Sequence, residues 1–164
     1  MIRTFVRNIS YKPQPQLFIH ELPSLNKAKL SFHENPNKLE VGIINNVQGK
    51  SLENLKILPK DFEENKEFLS KLQEIIKNNI QNDFAFIVEA GAYPSSHLPI
   101  YDFRLPPSHG RIPEVENVFG YVKVSDDGVI EPGSYQSNNM YRLLSGTDGP
   151  INLSDYLLEQ IQNS

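Results

Sequence analysis

The residues best suited to chemistry concentrate in one stretch of the chain, residues 89–113, which also contains five prolines. A connection of this length without regular structure is uncommon in a compact domain, and such a segment is often functional when it is ordered. Aromatic and aliphatic side chains are interspersed with the prolines, so we expect this loop to be ordered and packed on the domain. The candidate site residues are Glu89, Ser96, His97, Asp102, Arg104, His109 and Arg111.

Acid–base or nucleophilic catalysis is one chemistry open to these residues. His97 would act as the base, and Asp102 would orient its ring. Ser95 or Ser96 would be the nucleophile. The members of such a triad need only meet in space, and the chain has no Gly-x-Ser-x-Gly motif before a helix. A small hydrolase- or isomerase-like enzyme is therefore the alternative function.

A metal site is a second arrangement, in which His97, Asp102 and His109 supply two imidazoles and one carboxylate. The spacing of these three residues matches no zinc or iron signature. The chain has no Cys, which excludes thiolate ligands and disulfides. We therefore expect no metal and no cofactor.

An anion pocket is a third arrangement, formed by Arg104, His109 and Arg111, with Glu89 as a further ligand-binding residue. Guanidinium groups bind carboxylate or phosphate through paired hydrogen bonds, which suits a small anionic ligand. No Walker or dinucleotide-binding glycine motif accompanies these residues.

The same residues are also typical of a loop that fastens itself. In that interpretation Asp102 or Glu89 pairs with Arg104 or Arg111, and the histidines bind backbone carbonyls, because buried irregular chain needs partners for its polar groups. We favour this interpretation. The first-choice function is therefore a non-enzymatic binding or assembly protein, with the loop 89–113 as its surface for a protein partner or a small ligand.

Three segments resemble a pattern in uncharacterised fungal proteins. They are His97-Leu-Pro-Ile-Tyr-Asp102, Gly110-Arg-Ile-Pro113 and Phe119-Gly-Tyr-Val-Lys-Val124, all in the C-terminal half. The resemblance implies no activity and no catalytic residues, so the chemistry has to be argued from the side chains themselves.

Composition limits the classes of partner. The chain has 164 residues, and its apolar runs are far shorter than the roughly 20 residues that cross a bilayer, so we expect a soluble protein without a membrane span. Residues 1–60 hold nine Lys/Arg against four Asp/Glu, but the lysines are scattered and no aromatic–basic pattern accompanies them. We therefore expect no nucleic-acid binding.

The N-terminus has the bias of a mitochondrial presequence. Residues 1–9 include two Arg and no acid, and their apolar residues recur at helical spacing. Arg7 precedes Ser10 as at a processing site. The alternative is a strand or a loose arm over residues 4–9. We expect residues 1–16 to be an arm or targeting segment with a linker, and the protein to reside in the mitochondrial matrix or otherwise in the cytoplasm.

Residues 17–164 are predicted to form a single α+β domain, because strands are grouped rather than alternating with helices. A long helix is expected over about 61–79, capped by Asp61 with Glu64 in the capping box, and a short one over about 153–162, capped by Asn152. The expected antiparallel strands are 17–22, 28–33, 39–44, a buried central strand 84–88, a hairpin of 118–124 and 128–131, and 139–144. His20 and His33 are predicted to face solvent.

Overall fold

The computed structural model describes residues 8–107 and 112–164, and it confirms the α+β class with antiparallel sheets and two of the predicted helices. The chain divides into two compact units, the first ending at Leu69 and the second comprising Ser70–Ser164. The first unit has one sheet and the second has two, and each unit has its own buried apolar residues. The candidate site residues of the loop 89–113 all fall in the second unit.

The first unit contains a five-stranded antiparallel sheet with the strands in chain order. The strands are β1 (Asn8–Ser10), β2 (Phe18–Leu22), β3 (Lys27–Ser31), β4 (Gly42–Asn45) and β5 (Phe62–Glu64). The three strands predicted in this region are confirmed as β2, β3 and β4. Ile19, Leu30 and Ile44 are buried, as the apolar alternation of these strands requires.

The prediction that His20 and His33 face solvent is wrong, because both side chains are buried. The ring of His20 lies between two polar partners, with Nδ1 2.8 Å from Asn8 Oδ1 and Nε2 2.8 Å from the His33 carbonyl oxygen. Asn8 belongs to β1, which pairs with β2, and Asn8 lies directly opposite His20. Burial is tolerated because both ring nitrogens have hydrogen-bond partners.

Residues 11–16, expected to be a linker, carry buried side chains. Tyr11 is buried and its hydroxyl donates to the Leu55 carbonyl at 2.5 Å. Lys12 donates its backbone N–H to the Glu53 carbonyl at 3.0 Å, and the two side chains form an ion pair. These bonds join the segment after β1 to residues 53–55 within the first unit.

The long helix α1 (Lys66–Asn79) begins later than predicted. Asp61 and Glu64 do not cap it, because Phe62–Glu64 pairs with β4 as β5. Asn65 caps it instead, since its Oδ1 accepts the Glu67 N–H at 3.1 Å. The predicted apolar stripe is buried at Phe68, Leu72 and Ile76.

The apolar run 84–88, predicted to be the central strand, lies in a helix, α2 (Phe84–Ala90). Asp83 caps this helix by accepting the Ala85 N–H at 3.1 Å. An apolar run of this length is ambiguous between strand and helix, and the cap decides in favour of helix here. Only Phe86 and Ala90 of α2 are buried.

The second unit contains two small antiparallel sheets. One has β6 (His97–Tyr101), β7 (Val118–Lys123) and β8 (Gln136–Ser137) in that order, and the other has β9 (Leu144–Ser145) and β10 (Gly149–Pro150). The loop 89–113 is therefore not wholly irregular, because β6 lies within it. Of the expected strand 139–144, only the last residue, Leu144, lies in a strand, as the first residue of β9.

Two further predictions concern the ends of elements. The Asp127-Gly128 turn is confirmed, since Gly128 has a φ of 76°, but the expected strand 128–131 is reduced to a single bridge between Ile130 and Val124. The last helix is α3 (Asp155–Gln162), and Ser154 rather than Asn152 caps it. Ser154 Oγ accepts the Leu157 N–H at 3.2 Å.

Candidate functional site

Asp102 is the most enclosed of the candidate residues that the structure describes. It follows β6 directly, is fully buried, and accepts three hydrogen bonds, from Arg104 N–H at 2.8 Å, from Asn152 N–H at 2.9 Å and from the Tyr141 hydroxyl at 2.7 Å. Burial raises the pKa of Asp102 to about 6, against the opposing effects of Arg104 and these hydrogen bonds. The carboxylate is thus engaged on both oxygens.

Arg104 is the principal partner of this carboxylate, with Nη1 3.6 Å from Asp102 Oδ2. Its other contacts are Nε to Asn117 Oδ1 at 2.7 Å, Nη2 to the Glu116 carbonyl at 2.9 Å, and Nη1 to the Leu143 and Gly149 carbonyls at 3.3 and 3.4 Å. All three guanidinium nitrogens therefore have partners within the second unit. A guanidinium held in this way is not directed at a ligand.

The Asp102–Arg104 pair is the fastening arrangement that we favoured from the sequence. Asn117 extends it, since its Nδ2 donates to Asp148 at 3.1 Å while its backbone carbonyl accepts the Asp102 N–H at 2.7 Å. The Tyr141 ring packs against the Arg104 guanidinium, with the ring centroid 5.3 Å from Arg104 Cζ. The pair thus ties the end of β6 to segments around residues 117 and 141–152.

His97 and Ser96 lie at the other end of β6, and both are exposed. Asp102 lies five positions after His97 along extended chain, a span of about 16 Å. The structure therefore does not bring the proposed base and its orienting carboxylate together. His97 sits opposite Lys123 of β7 instead, beside a shallow depression of about 340 Å³ that Ser96 and Glu131 also line.

Ser95, the other proposed nucleophile, is engaged with the hairpin turn. Its hydroxyl donates to Asp126, and its backbone N–H donates to the Ser125 carbonyl at 3.0 Å. Ser95 has a φ of 57°, in the left-handed region. This combination of contacts holds the turn against the start of β6.

Glu89 lies on α2, close to the Tyr101 hydroxyl. Burial raises the pKa of Glu89, and the Tyr101 hydroxyl partly opposes that rise. The Tyr101 ring belongs to an aromatic cluster with Phe86 and Phe103, whose ring centroids lie 5.3 to 5.9 Å apart. Glu89 thus joins the inner side of α2 to β6.

His109 and Arg111 lie outside the described residues, so the predicted anion pocket and the two-His metal site are described only in part. Within residues 8–107 and 112–164, no group of three His, Asp or Glu side chains is placed to hold a metal ion. The same residues contain no helix that is long and apolar enough to cross a membrane.

Comparison with family models, with curated proteins and with solved structures gave no match. The resemblance to fungal proteins therefore stays a prediction, and function has to be argued from the side chains.

The sequence interpretation missed an apolar surface immediately before the loop. Phe84, Ile87 and Val88 are 75%, 44% and 60% exposed, although they belong to the most apolar run of the chain. Their spacing of three and four residues places them on one side of α2. Two signals pointed to this helix, the cap residue Asp83 and the i, i+3, i+4 spacing, but the run was interpreted as a buried strand.

Proposed function

We propose that this protein is a non-enzymatic binding module whose partner docks on the outer face of α2, formed by Phe84, Ile87 and Val88. The single observation that carries the proposal is the exposure of these three apolar side chains on one side of a helix. Scattered apolar residues are normal on a protein surface, but adjacent ones that form a patch mark interaction sites.

The inner face of the same helix supports this assignment. Phe86 and Ala90 are buried, and Phe86 packs on Tyr101 and Phe103. The helix is therefore seated through one face, and its apolar outer face is not needed for that packing. Full burial of an exposed large apolar side chain contributes about 1.5–3 kcal/mol. These three side chains are already partly covered, so each contributes less than that, and together they favour association.

A groove beside α2 enlarges this surface. It has a volume of about 490 Å³ and runs from Phe84 past Phe103 to Tyr156 at the start of α3. Asp155 lies at its rim. An apolar groove beside a helical apolar face suits the side chains of a partner helix, which would insert residues spaced by three and four positions.

Charge defines the chemistry of the partner further. Residues 70–164 carry six Lys/Arg against twelve Asp/Glu. Asp155 flanks the groove, and the turn with Asp126 and Asp127 approaches the C-terminal end of α2, where a Cβ on Gly128 would lie 3.2 Å from Gly91. We therefore propose an amphipathic partner helix with Lys or Arg beside its apolar stripe, since complementary charge speeds and orients docking.

The loop 89–113 contributes to the same proposal. Tyr93 and Leu105 are exposed apolar residues within it, five positions after Val88 and two positions after Phe103 respectively. The catalytic alternative has less support, because the polar atoms of Asp102 and Arg104 are already engaged with each other and with the surrounding backbone.

The experiment is affinity purification of the tagged full chain from fractionated cells, comparing the wild type with Ile87→Lys. The matched control is Leu25→Lys, which adds the same charge at a residue that is 61% exposed in the first unit. We expect one stoichiometric partner with the wild type and the control, and loss of that partner with Ile87→Lys. Equal recovery with Ile87→Lys, or no partner at all, would contradict the proposal.

The mitochondrial matrix remains our proposed location, on the basis of the N-terminal composition. Asn8–Ser10 is β1, so a cut between Ile9 and Ser10 would remove Asn8 and its contact with His20. N-terminal sequencing of the protein from mitochondrial and cytosolic fractions tests the proposed mitochondrial location. A new N-terminus at Ser10 in mitochondria would support it, and an intact Met1 found in the cytosol alone would contradict it.

A further inference from the structure

We infer that the second unit has another binding site, a groove between α1 and β8 that takes an extended peptide as an added strand. The sheet order β6-β7-β8 places β8 at an edge. An edge strand presents backbone N–H and C=O groups that a further strand can pair with. This inference is independent of the α2 surface, because it rests on different residues.

The hydrogen-bond pattern identifies which groups are presented. Asn138 donates its N–H to the Phe119 carbonyl at 2.8 Å, next to the pair formed by Gly120 and Ser137. In an antiparallel ladder, alternate residues bond to the same neighbour, so the N–H and C=O of Ser137 point away from β7.

The groove is lined in part by β8 and has a volume of about 670 Å³. Its lining residues are Gln73, Glu74, Lys77 and Asn78 on α1, and Tyr135, Gln136, Ser137 and Asn139 on the other wall. Most of these side chains are neutral amides or hydroxyls, which donate to and accept from peptide groups. Such a lining is suited to peptide backbone rather than to particular side chains.

The two walls are fixed relative to each other by Gln73. The Tyr135 hydroxyl donates to Gln73 Oε1, while Gln73 Nε2 donates to the Phe119 carbonyl at 3.1 Å. Gly120 admits the Tyr135 ring, since a Cβ there would lie only 2.6 Å from it. A groove whose walls are already bonded loses little conformational freedom on binding.

Charge makes an uncharged backbone the best-matched occupant. Glu74 and Lys77 are both exposed on the α1 wall, and they form no ion pair with the described residues. One carboxylate and one ammonium leave this wall without net charge. The occupant is therefore an extended peptide that is recognised mainly through its main chain, with broad tolerance of sequence.

The test selects linear peptides from a random phage-displayed library on the full-length protein and measures their affinity by calorimetry. The decisive variant is Ser137→Pro, and its matched control is Ser137→Ala, which retains the N–H. Proline is tolerated on an edge strand where the N–H points outward, so the β7 pairing survives. Both variants lose the hydroxyl and only Ser137→Pro loses the N–H, so we expect Ser137→Pro to bind at least about tenfold more weakly than Ser137→Ala.

A second measurement decides the case if Ser137→Pro unfolds. On peptide addition to the wild type, the amide ¹⁵N–¹H signals of Ser137 and Asn139 should shift, and their hydrogen exchange should slow. Unchanged signals, the absence of any selected peptide, or equal affinity for Ser137→Pro would overturn the inference. Peptides that tolerate Ser137→Pro but are lost with Ile87→Lys would also overturn it, while supporting the α2 docking surface.

Discussion

Asp102 Oδ2 and Arg104 Nη1 lie 3.6 Å apart in a buried ion pair, and the Tyr141 hydroxyl donates to the same carboxylate oxygen at 2.7 Å. The pair is surrounded by backbone carbonyls that accept from the guanidinium. Its members are two residues apart in sequence, but their other partners lie as far away as Asn152. It therefore holds several irregular segments of the second unit in one arrangement.

Asp102→Asn should destabilise the protein strongly. The substitution keeps the shape of the side chain but leaves the Arg104 guanidinium buried without its counter-charge, a loss that costs about 3–5 kcal/mol. Urea denaturation measures the free energy of unfolding. The control is Asp127→Asn, which neutralises an exposed carboxylate and should have little effect. If Asp102→Asn lowers the free energy of unfolding by less than about 1 kcal/mol, the Asp102–Arg104 pair does not hold these segments together.

Phe84 and Phe86 should respond very differently to truncation, although they are two residues apart on α2. Phe86 is buried against Tyr101 and Phe103, so Phe86→Ala should cost about 3–5 kcal/mol. Phe84→Ala removes an exposed ring and should change the free energy of unfolding by about 0.5 kcal/mol or less. Thermal or urea denaturation compares the two variants. Similar losses would mean that the outer face of α2 is part of the core.

Ser154→Ala should weaken two helix caps together. Ser154 Oγ accepts the Leu157 N–H and donates to Asp83 Oδ2 at 2.6 Å, and Asp83 in turn caps α2. Loss of a cap costs about 0.5–2 kcal/mol, and the buried Asp83 carboxylate also loses a donor.

A double-mutant cycle with Asp83→Ala checks this coupling. We expect the combined loss to be smaller than the sum of the single losses, because the same bond is removed twice. Ser51→Ala, at an exposed serine of the first unit, is the control and should be close to neutral. Additive losses would show that the two caps act separately.

The stability of the first unit should depend on pH through His20. Burial lowers the pKa of His20 below 6.5, although the bond to the His33 carbonyl opposes this. Below pH 6.5 the unfolded chain takes up a proton that the folded chain does not. The contribution of His20 to the free energy of unfolding is therefore fully present above pH 6.5. It falls as the pH decreases from 6.5 towards the pKa of His20 in the folded state.

The measurement is the free energy of unfolding against pH for the wild type and His20→Gln, since their difference isolates His20. This difference is needed because Asp102 titrates near pH 6 in the folded state and acts in the opposite direction. His97→Gln is the control, because His97 is exposed. A wild-type advantage over His20→Gln that grows in acid would show that His20 is not buried as the neutral form.

The sequence by itself determined the features that depend on local pattern. The apolar stripe of α1 was visible because Phe68, Leu72 and Ile76 recur at helical spacing. The burial of Ala28 and Leu30 in β3 and the Asp127-Gly128 turn are equally local, since the first depends on strand alternation and the second on the backbone freedom of glycine. These parts of the α+β fold needed no knowledge of distant contacts.

Only the tertiary structure decided the features that depend on remote partners. The run at Phe84 became a helix with an exposed face, because Asp83 caps it and is itself bonded to Ser154, 71 residues away. His20 became buried because β1 supplies Asn8 to its ring. Asp102 and His97 were separated because an extended strand places its two ends far apart, whatever their distance in sequence suggests.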